Sequence, residues 1–237
     1  MTTHSVVSRE EWLAARQALL AKEKEFNKLR DALSAERRAL PWVRIETPYV
    51  FDGPQGKVTL ADLFGGRNQL VVYHLMFHPE GQVPCKSCSF WIDSLPAHLD
   101  HLKQRDVSVA AVSRAPVAKI EGFRQRQGWT IPWVSSNANS FNFDFGVSFT
   151  KDQVEAGDVF YNYTTGGYRN EDLPGISVFF KDEAGAVYHT YSTYARGLDM
   201  LNATYHYLDI TPKGRDEESL RYPMEWVRLR DQYPAGA

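Results

Sequence analysis

The chain has 237 residues, which is long for one ordinary domain and short for two, so we expect a single core with extensions. Its 27 Lys and Arg residues against 29 Asp and Glu give a formal net charge of −2, so we expect neither a nucleic acid nor an anionic membrane as partner. Because no apolar run is long enough to span a bilayer and the first residues do not resemble a signal peptide, we expect a cytoplasmic protein without a membrane partner.

A long helix is predicted from Ser8 to Leu40. Ser8 and Glu11 form a capping-box pattern, and no Gly or Pro interrupts the segment before Pro41. Apolar residues recur every seven positions, at Trp12, Leu19, Phe26, Leu33 and Leu40. We therefore interpret residues 1–41 as an amphipathic extension, whose apolar stripe either covers the protein's own domain or docks on a second subunit of a homo-oligomer.

Short extended segments follow this helix. The pieces 43–45, 49–52 and 58–60, with a glycine-containing turn at 53–56, predict a β-hairpin. The run from Leu70 to Phe77 is nearly all apolar, which is typical of a central strand covered on both faces.

Alternating helices and strands are predicted next. A helix begins at Ser87, and Pro96 is expected to kink or split it. The strand 107–112, a helix from Ala118 to Gln127 and a short strand at 133–135 complete a spacing that favours parallel crossovers.

Residues 137–172 break this rhythm. The segment is rich in Phe, Tyr, Asn and Gly and has no sustained period, so no regular structure is predicted within it. A long ordered insertion in a compact domain is often functional, which makes it a candidate lid or pocket wall. The alternative is that it only adds to the core.

The last third of the chain begins with Pro174, which opens a hairpin formed by residues 176–180 and 186–191. A final helix is predicted from Ala195 to Leu208. Residues 210–237 carry several prolines, so we expect a tail on the surface, anchored by Trp226 and Leu229.

The two cysteines of the chain, Cys85 and Cys88, lie two residues apart between a predicted strand and a predicted helix, where both thiols can react together. In a reducing compartment a stapling disulfide is not expected, so a redox or metal role is favoured. His74 and His78 with the two cysteines would supply a Cys₂His₂ zinc site, which is the metal alternative. Otherwise we expect no cofactor.

Several features together resemble the thioredoxin fold: a strand leading to C-x-x-C at a helix start, a further strand and helix, and Pro174 before a hairpin and a last helix. Residues 49–64 and the segment 112–114 are similar to the peroxiredoxin branch. The segments 85–91, 141–149 and 189–197 resemble the bacterial DUF899 family of predicted dithiol-disulfide oxidoreductases. The resemblance implies an α/β fold over residues 42–209, with a central mixed sheet flanked by helices.

The redox interpretation gives each site residue a role. At a helix start, Cys85 would be a stabilised thiolate that attacks, Cys88 would be the resolving thiol, and a cis Pro174 would face them. The substrate would be a disulfide-containing protein or a small-molecule thiol or disulfide. Candidates for the substrate side of the site are Lys86, Trp91, Arg114, Phe143 and Arg196, although surface or structural pairing is the favoured interpretation of the two arginines.

The chain also departs from these families. Lys86-Ser87 stands between the cysteines where thioredoxin has Gly-Pro, and Pro84 stands where thioredoxin has Trp. Gln82 occupies the position of the Thr that precedes a peroxiredoxin's reactive cysteine, which disfavours a typical peroxidase. An atypical thiol peroxidase, and a non-catalytic binding module with vestigial cysteines, are therefore the alternatives to a thiol-disulfide oxidoreductase.

Overall fold

A computed structural model describes residues 4–96 and 98–234. The chain separates into two compact units, one ending at Pro41 and the other beginning at Trp42. No helix in these two described ranges is long and apolar enough to cross a membrane.

The first unit is helix α1 (Arg9–Arg38). The Ser8 side chain accepts a hydrogen bond from the Glu11 backbone N–H at 3.2 Å, and the Glu11 carboxylate accepts one from the Ser8 N–H at 2.9 Å. The capping box read from the sequence is therefore formed, and the helix begins where it was predicted. The apolar residues at seven-residue spacing are all exposed, from 45% for Leu40 to 64% for Phe26.

The second unit is built on an eight-stranded sheet and a separate two-stranded hairpin. The strands are β1 (Val43–Arg44), β2 (Val50–Gly53), β3 (Gly56–Thr59), β4 (Gln69–His74), β5 (Val107–Ser113), β6 (Trp133–Ser135), β7 (Val159–Tyr161), β8 (Thr164–Gly166), β9 (Gly175–Lys181) and β10 (Val187–Tyr194). The order in the large sheet is β1-β10-β9-β4-β5-β6-β2-β3, and β7 pairs with β8.

Strand directions identify the fold. Strands β4, β5 and β6 are parallel, and β9 and β10 add an antiparallel hairpin on the other side of β4. Helices connect the parallel strands, so this is the mixed α/β, thioredoxin-like sheet that the sequence implied. The segment 43–45 does not join the β2–β3 hairpin, because β1 pairs with β10 at the opposite edge of the sheet.

The helices of this unit are α2 (Lys86–Asp93), α3 (Asp100–Gln104), α4 (Val117–Gln127), α5 (Phe141–Asp144), α6 (Lys151–Ala156) and α7 (Ala203–Asp209). Pro96 lies between α2 and α3, so the predicted split is correct. Gly128 ends α4 with a left-handed conformation at φ 65°, as its position in the sequence indicated.

The predicted continuous helix from Ala195 to Leu208 is wrong. The structure has a 3₁₀ helix at Ala195–Leu201 and then α7. Asn202 separates the two, because its backbone is extended and its side-chain oxygen caps α7 by accepting from the Tyr205 N–H at 3.1 Å.

The insertion also differs from its prediction, because it contains α5, α6 and the β7–β8 hairpin. Thr150 and Gln153 form a capping box that begins α6, and Gly157 ends α6 with a left-handed conformation. Four buried side chains of this region form an apolar cluster with Tyr194 of β10: Val147, Phe149, Val159 and Tyr161. The tail is held as expected, with Leu229 buried and Trp226 packed against the main core.

Candidate active site

The two cysteines lie where the parallel strands end and α2 begins. The chain leaves β4 at His74, makes a loop, and returns so that the Cys85 N–H donates to the Met76 carbonyl at 2.9 Å. Cys85 is the N-cap residue of α2, and its own carbonyl accepts from the Ser89 N–H at 3.0 Å. Both cysteines are free thiols, so the site is in its dithiol state.

Cys85 is the more acidic thiol. A hydrogen bond from the Cys88 thiol lowers the pKa of Cys85 from 9.0 to about 6, against the opposing effect of burial. The backbone N–H groups of Cys88 and Ser87 lower that pKa further, as expected of donors in the first turn of a helix. At neutral pH the half-buried Cys85 is therefore mainly a thiolate, which is the nucleophilic form.

Cys88 has the opposite character. Only 2% of the residue is exposed, and this burial raises the pKa of Cys88 well above 9.0. The neighbouring Cys85 raises it further. The pair therefore consists of one acidic, accessible sulfur and one protonated, buried sulfur one helical turn away.

Two buried tyrosines lie close to the two thiols. Tyr73 is 4% exposed and Tyr161 is 3% exposed, and burial raises the pKa of both phenols. The Tyr161 hydroxyl donates to the Pro174 carbonyl at 2.6 Å and accepts from the Ala195 N–H at 3.0 Å. The Tyr73 oxygen is buried and has no hydrogen-bond partner within the described residues.

Pro174 lies immediately before β9, whose first residue Gly175 pairs across the sheet with His74. The peptide bond before Pro174 is not cis, since the described part of the chain contains no cis bond, and the expected cis-proline is wrong. Gly175 is needed here because a Cβ atom would lie 2.7 Å from Tyr194 and 2.8 Å from Val147. The Pro174 carbonyl accepts the hydrogen bond from the Tyr161 hydroxyl.

A cleft of about 620 Å³ opens beside Cys85. The loop before α2 forms one side, and the insertion forms the other through α6 and the segment 169–172. Its lining residues are Met76, His78, Gly81, Val83, Cys85, Lys151, Val154, Glu155, Arg169, Asn170, Glu171 and Asp172. Apolar side chains and charges of both signs thus border the reactive sulfur, and the insertion is a pocket wall.

Arg114 supports the insertion side of the cleft from a position outside the cleft lining. Its Nε donates to the Asp172 Oδ1 at 2.7 Å, its Nη2 lies 3.6 Å from the Glu171 carboxylate, and its guanidinium lies 5.2 Å from the centre of the Phe143 ring. The Arg114 side chain is only 12% exposed and does not line the cleft. Arg114 therefore holds the insertion wall in place, in contact with Phe143.

The other predicted substrate-side residues are not brought to the cleft. The Lys86 Nζ donates to the Glu225 carbonyl at 2.8 Å, and the Trp91 ring N–H donates to the Leu198 carbonyl at 2.8 Å from a buried position. Arg196 is exposed and pairs with Asp199 at 3.2 Å. The residues that do line the cleft, such as Glu171, carry no motif in the sequence that could have identified them.

The residues of the zinc alternative are not gathered around one point. The imidazole of His74 interacts with the Ser177 hydroxyl at 2.9 Å, on the sheet face opposite to Cys88, while His78 lies at the cleft 3.3 Å from Glu171. Within residues 4–96 and 98–234, no group of three or more His, Cys, Asp or Glu side chains is arranged to hold a metal ion.

One comparison with known proteins identifies the family, and none identifies the activity. The model of the family described as "Bacterial protein of unknown function (DUF899)" matches residues 1–233. No curated protein has a sequence that matches this chain.

Among solved structures, the peroxidoxin BcpB of Mycobacterium tuberculosis is 14% identical, with 70% of this chain and 95% of that chain covered and a TM-score of 0.46. The peroxiredoxin Q of Xanthomonas campestris is 19% identical, with coverages of 66% and 88% and a TM-score of 0.43. An inferred thiol:disulfide interchange protein DsbE of Chlorobium tepidum is 13% identical, with coverages of 68% and 95% and a TM-score of 0.39.

Proposed function

The chain belongs to the DUF899 family of bacterial proteins, whose function is unknown, and we propose that it is a dithiol-disulfide oxidoreductase that uses Cys85 and Cys88. The observation that carries the proposal is the placement of the two thiols: Cys85 caps the start of α2 and lines the cleft, whereas Cys88 is buried one helical turn away. The pKa of Cys85 is accordingly lowered to about 6 and that of Cys88 is raised. An attacking thiolate and a protonated neighbour within one helical turn are what two-step exchange needs.

The proposed reaction has two balanced steps. The Cys85 thiolate attacks a disulfide of the substrate, which forms a Cys85–substrate disulfide and releases the first substrate sulfur as a thiolate. Cys88 then loses its proton and attacks the Cys85 sulfur, which forms the Cys85–Cys88 disulfide and releases the second substrate sulfur. The proton from Cys88 and one from solvent leave both substrate sulfurs as thiols, so two electrons pass from the protein to the substrate.

The cleft is the proposed binding place for this substrate. Its volume, about 620 Å³, falls in the range of small-ligand sites, which span roughly 300–1,000 Å³. Lys151 and Arg169 on one wall and Glu155 and Glu171 nearby could contact both charges of a peptide-like disulfide. A protein disulfide presented on a loop and a small-molecule disulfide both remain candidate substrates.

A vestigial-cysteine binding module fits these observations less well, because nothing in such a module would maintain an acidic thiol beside a buried one. An atypical thiol peroxidase would use the same Cys85 thiolate, so its low pKa supports that second candidate equally. Peroxide consumption by the wild type, compared with Cys85→Ser, separates the two enzyme activities.

The test of the main proposal is the Cys88→Ser variant. Without the resolving thiol, the Cys85–substrate disulfide should accumulate and be recovered by non-reducing electrophoresis and mass spectrometry of cell extracts. The matched control is Cys85→Ser, which retains one thiol but should trap nothing, because Cys88 is buried and protonated. Equal trapping by both variants, or by neither, would contradict the assigned roles.

The proposal includes a cytoplasmic location and a homo-oligomer formed through α1. The support for the oligomer is the exposed stripe of Trp12, Leu19, Phe26, Leu33 and Leu40 at coiled-coil spacing. Light scattering of the full chain and of a variant with Leu19, Phe26 and Leu33 changed to Ala should show a larger particle only for the full chain. An identical mass for the two would remove the oligomer from the proposal.

A further inference from the structure

Tyr73 is a buried polar side chain whose hydrogen-bonding group is left unused. It lies on β4 with 4% of its surface exposed, and its phenol oxygen has no hydrogen-bond partner within the described residues. Buried hydroxyl groups are nearly always paired, because an unpaired one loses the hydrogen bonds that water would supply. A tyrosine retained in this state therefore requires an explanation.

The position of Tyr73 indicates what the hydroxyl serves. Tyr73 belongs to the same apolar cluster as Cys88, and Cys85 packs against that cluster. Burial first, and then the proximity of Cys88, Cys85 and Tyr161, raise the pKa of Tyr73, so the phenol keeps its proton. In the other direction, the Tyr73 hydroxyl acts to lower the pKa of Cys88, because it can donate to that sulfur once the sulfur is charged. Tyr73 is thus a donor next to the buried thiol, and it cannot act as a base at neutral pH.

The resolving step creates a need for such a donor. In that step Cys88 must become a thiolate in a water-excluded site, attack the Cys85 sulfur and displace the substrate thiolate. Burial opposes this charge, and a neutral donor aimed at the sulfur offsets that cost only while the charge is present. We propose that Tyr73 is a catalytic hydrogen-bond donor to the Cys88 sulfur, and that its hydroxyl is left unpaired in the dithiol state so that it can stabilise the thiolate during resolution.

This inference rests on the proposed dithiol function and adds a residue to it that has no counterpart in the C-x-x-C motif. The titratable groups that face Cys88 within the described residues are Cys85 at the N-cap of α2, Tyr73 on β4 and Tyr161 on β7. Tyr161 is the matched control, because it is equally buried but its hydroxyl already bridges the Pro174 carbonyl and the Ala195 N–H.

The test compares wild type, Tyr73→Phe and Tyr161→Phe in a stopped-flow reaction of the reduced protein with 5,5′-dithiobis(2-nitrobenzoate). The first equivalent of released thionitrobenzoate reports attack by Cys85, and the second reports resolution by Cys88. For Tyr73→Phe we expect second-phase release about tenfold slower at pH 7, corresponding to roughly one pKa unit on Cys88, and first-phase release unchanged within about twofold. Its second-phase rate should also reach half its maximum at a higher pH than in the wild type.

Thermal unfolding of the same variants separates a catalytic role from a structural one. Removing an unpaired buried oxygen should leave the melting temperature of Tyr73→Phe unchanged or raised, whereas Tyr161→Phe should melt lower because two hydrogen bonds are lost. An unchanged second phase, equal slowing of both phases, or unfolding of Tyr73→Phe would each overturn the inference. A wild type that releases no second equivalent would instead contradict the proposed dithiol function.

Discussion

Tyr73 and His74 are neighbours on β4, yet they serve opposite faces of the same sheet, because side chains alternate along a strand. Both are almost completely buried polar side chains. On the face of Tyr73, the phenol lies beside the two thiols and has no hydrogen-bond partner among the residues that the structure describes. On the face of His74, the imidazole contacts Ser177 at 2.9 Å, Ser177 contacts Ser192 at 2.9 Å, and Ser192 contacts His189 at 2.7 Å.

The pKa shifts of the ionisable side chains also differ between the two faces. Burial, with a smaller effect of His189, lowers the pKa of His74 from 6.5 to about 3, so the imidazole stays neutral beside the rings of Phe141 and Phe145. On the other face the pKa of Cys85 falls to about 6, which makes a negative charge the normal state of that thiol. The face that carries Cys85 therefore stabilises a negative charge, whereas the face that carries His74 keeps its ionisable side chain neutral.

The largest effect expected from this difference is a pH dependence of stability that originates at His74. In the unfolded chain His74 binds a proton below pH 6.5, but in the folded protein only below about pH 3. The unfolded state therefore holds more protons in this window, and the free energy of unfolding should fall as the pH is lowered from 6.5 toward 3, by at most about 1.4 kcal/mol per pH unit from this residue. His189, whose pKa burial also lowers, acts in the same direction.

Urea unfolding at several pH values between 7 and 4 measures this slope. The control is His74→Gln, which keeps a polar group near Ser177 but removes the titration. The difference in free energy of unfolding between the wild type and His74→Gln reports the effect of His74, because the carboxylates that titrate in the same pH range are present in both proteins. If both proteins lose stability in parallel, the neutral, buried state of His74 is not what limits stability at low pH.

A smaller effect is expected from Ser177→Ala, which removes a central hydroxyl from the hydrogen-bonded series His74, Ser177, Ser192 and His189. The imidazole of His74 and the hydroxyl of Ser192 would each lose a partner inside the core, and stability should decrease by roughly 1–3 kcal/mol. Exchange activity should change little, since Cys85 and Cys88 lie on the other face. Guanidinium unfolding gives the first quantity, and the rate of thionitrobenzoate release gives the second. Loss of activity without loss of stability would show that the two faces are coupled.

The sequence predicted the scaffold of the site better than its details. The strand before Cys85, the helix after it, the split at Pro96 and the end of α4 at Gly128 are all set by local signals, and the structure has them. Thr150 and Gln153 form an equally local capping pattern, but it lies within an aromatic segment without periodicity, where no helix is predicted. The isomer at Pro174 depends on tertiary packing and could not be obtained from the residue type.

The sequence indicated the insertion as a candidate pocket wall, but it could not give the residues that line the cleft. Its wall depends on Arg114 at the end of β5 pairing with Asp172, 58 residues away, and such long-range ion pairs leave no periodic pattern. Lys86, Trp91 and Arg196 are close in sequence to the segments that carry the family resemblance. In the folded chain they contact Glu225, Leu198 and Asp199, away from the cleft lining.

The measurement that tests the central claim most directly is a redox titration of the purified chain in buffers of reduced and oxidised dithiothreitol, read by mass spectrometry after alkylation. The proposed dithiol function predicts one reversible transition in which the chain loses two hydrogens and both cysteines, Cys85 and Cys88, become protected together. Two thiols that remain free and alkylatable across the whole range, or that join only between chains, would contradict it.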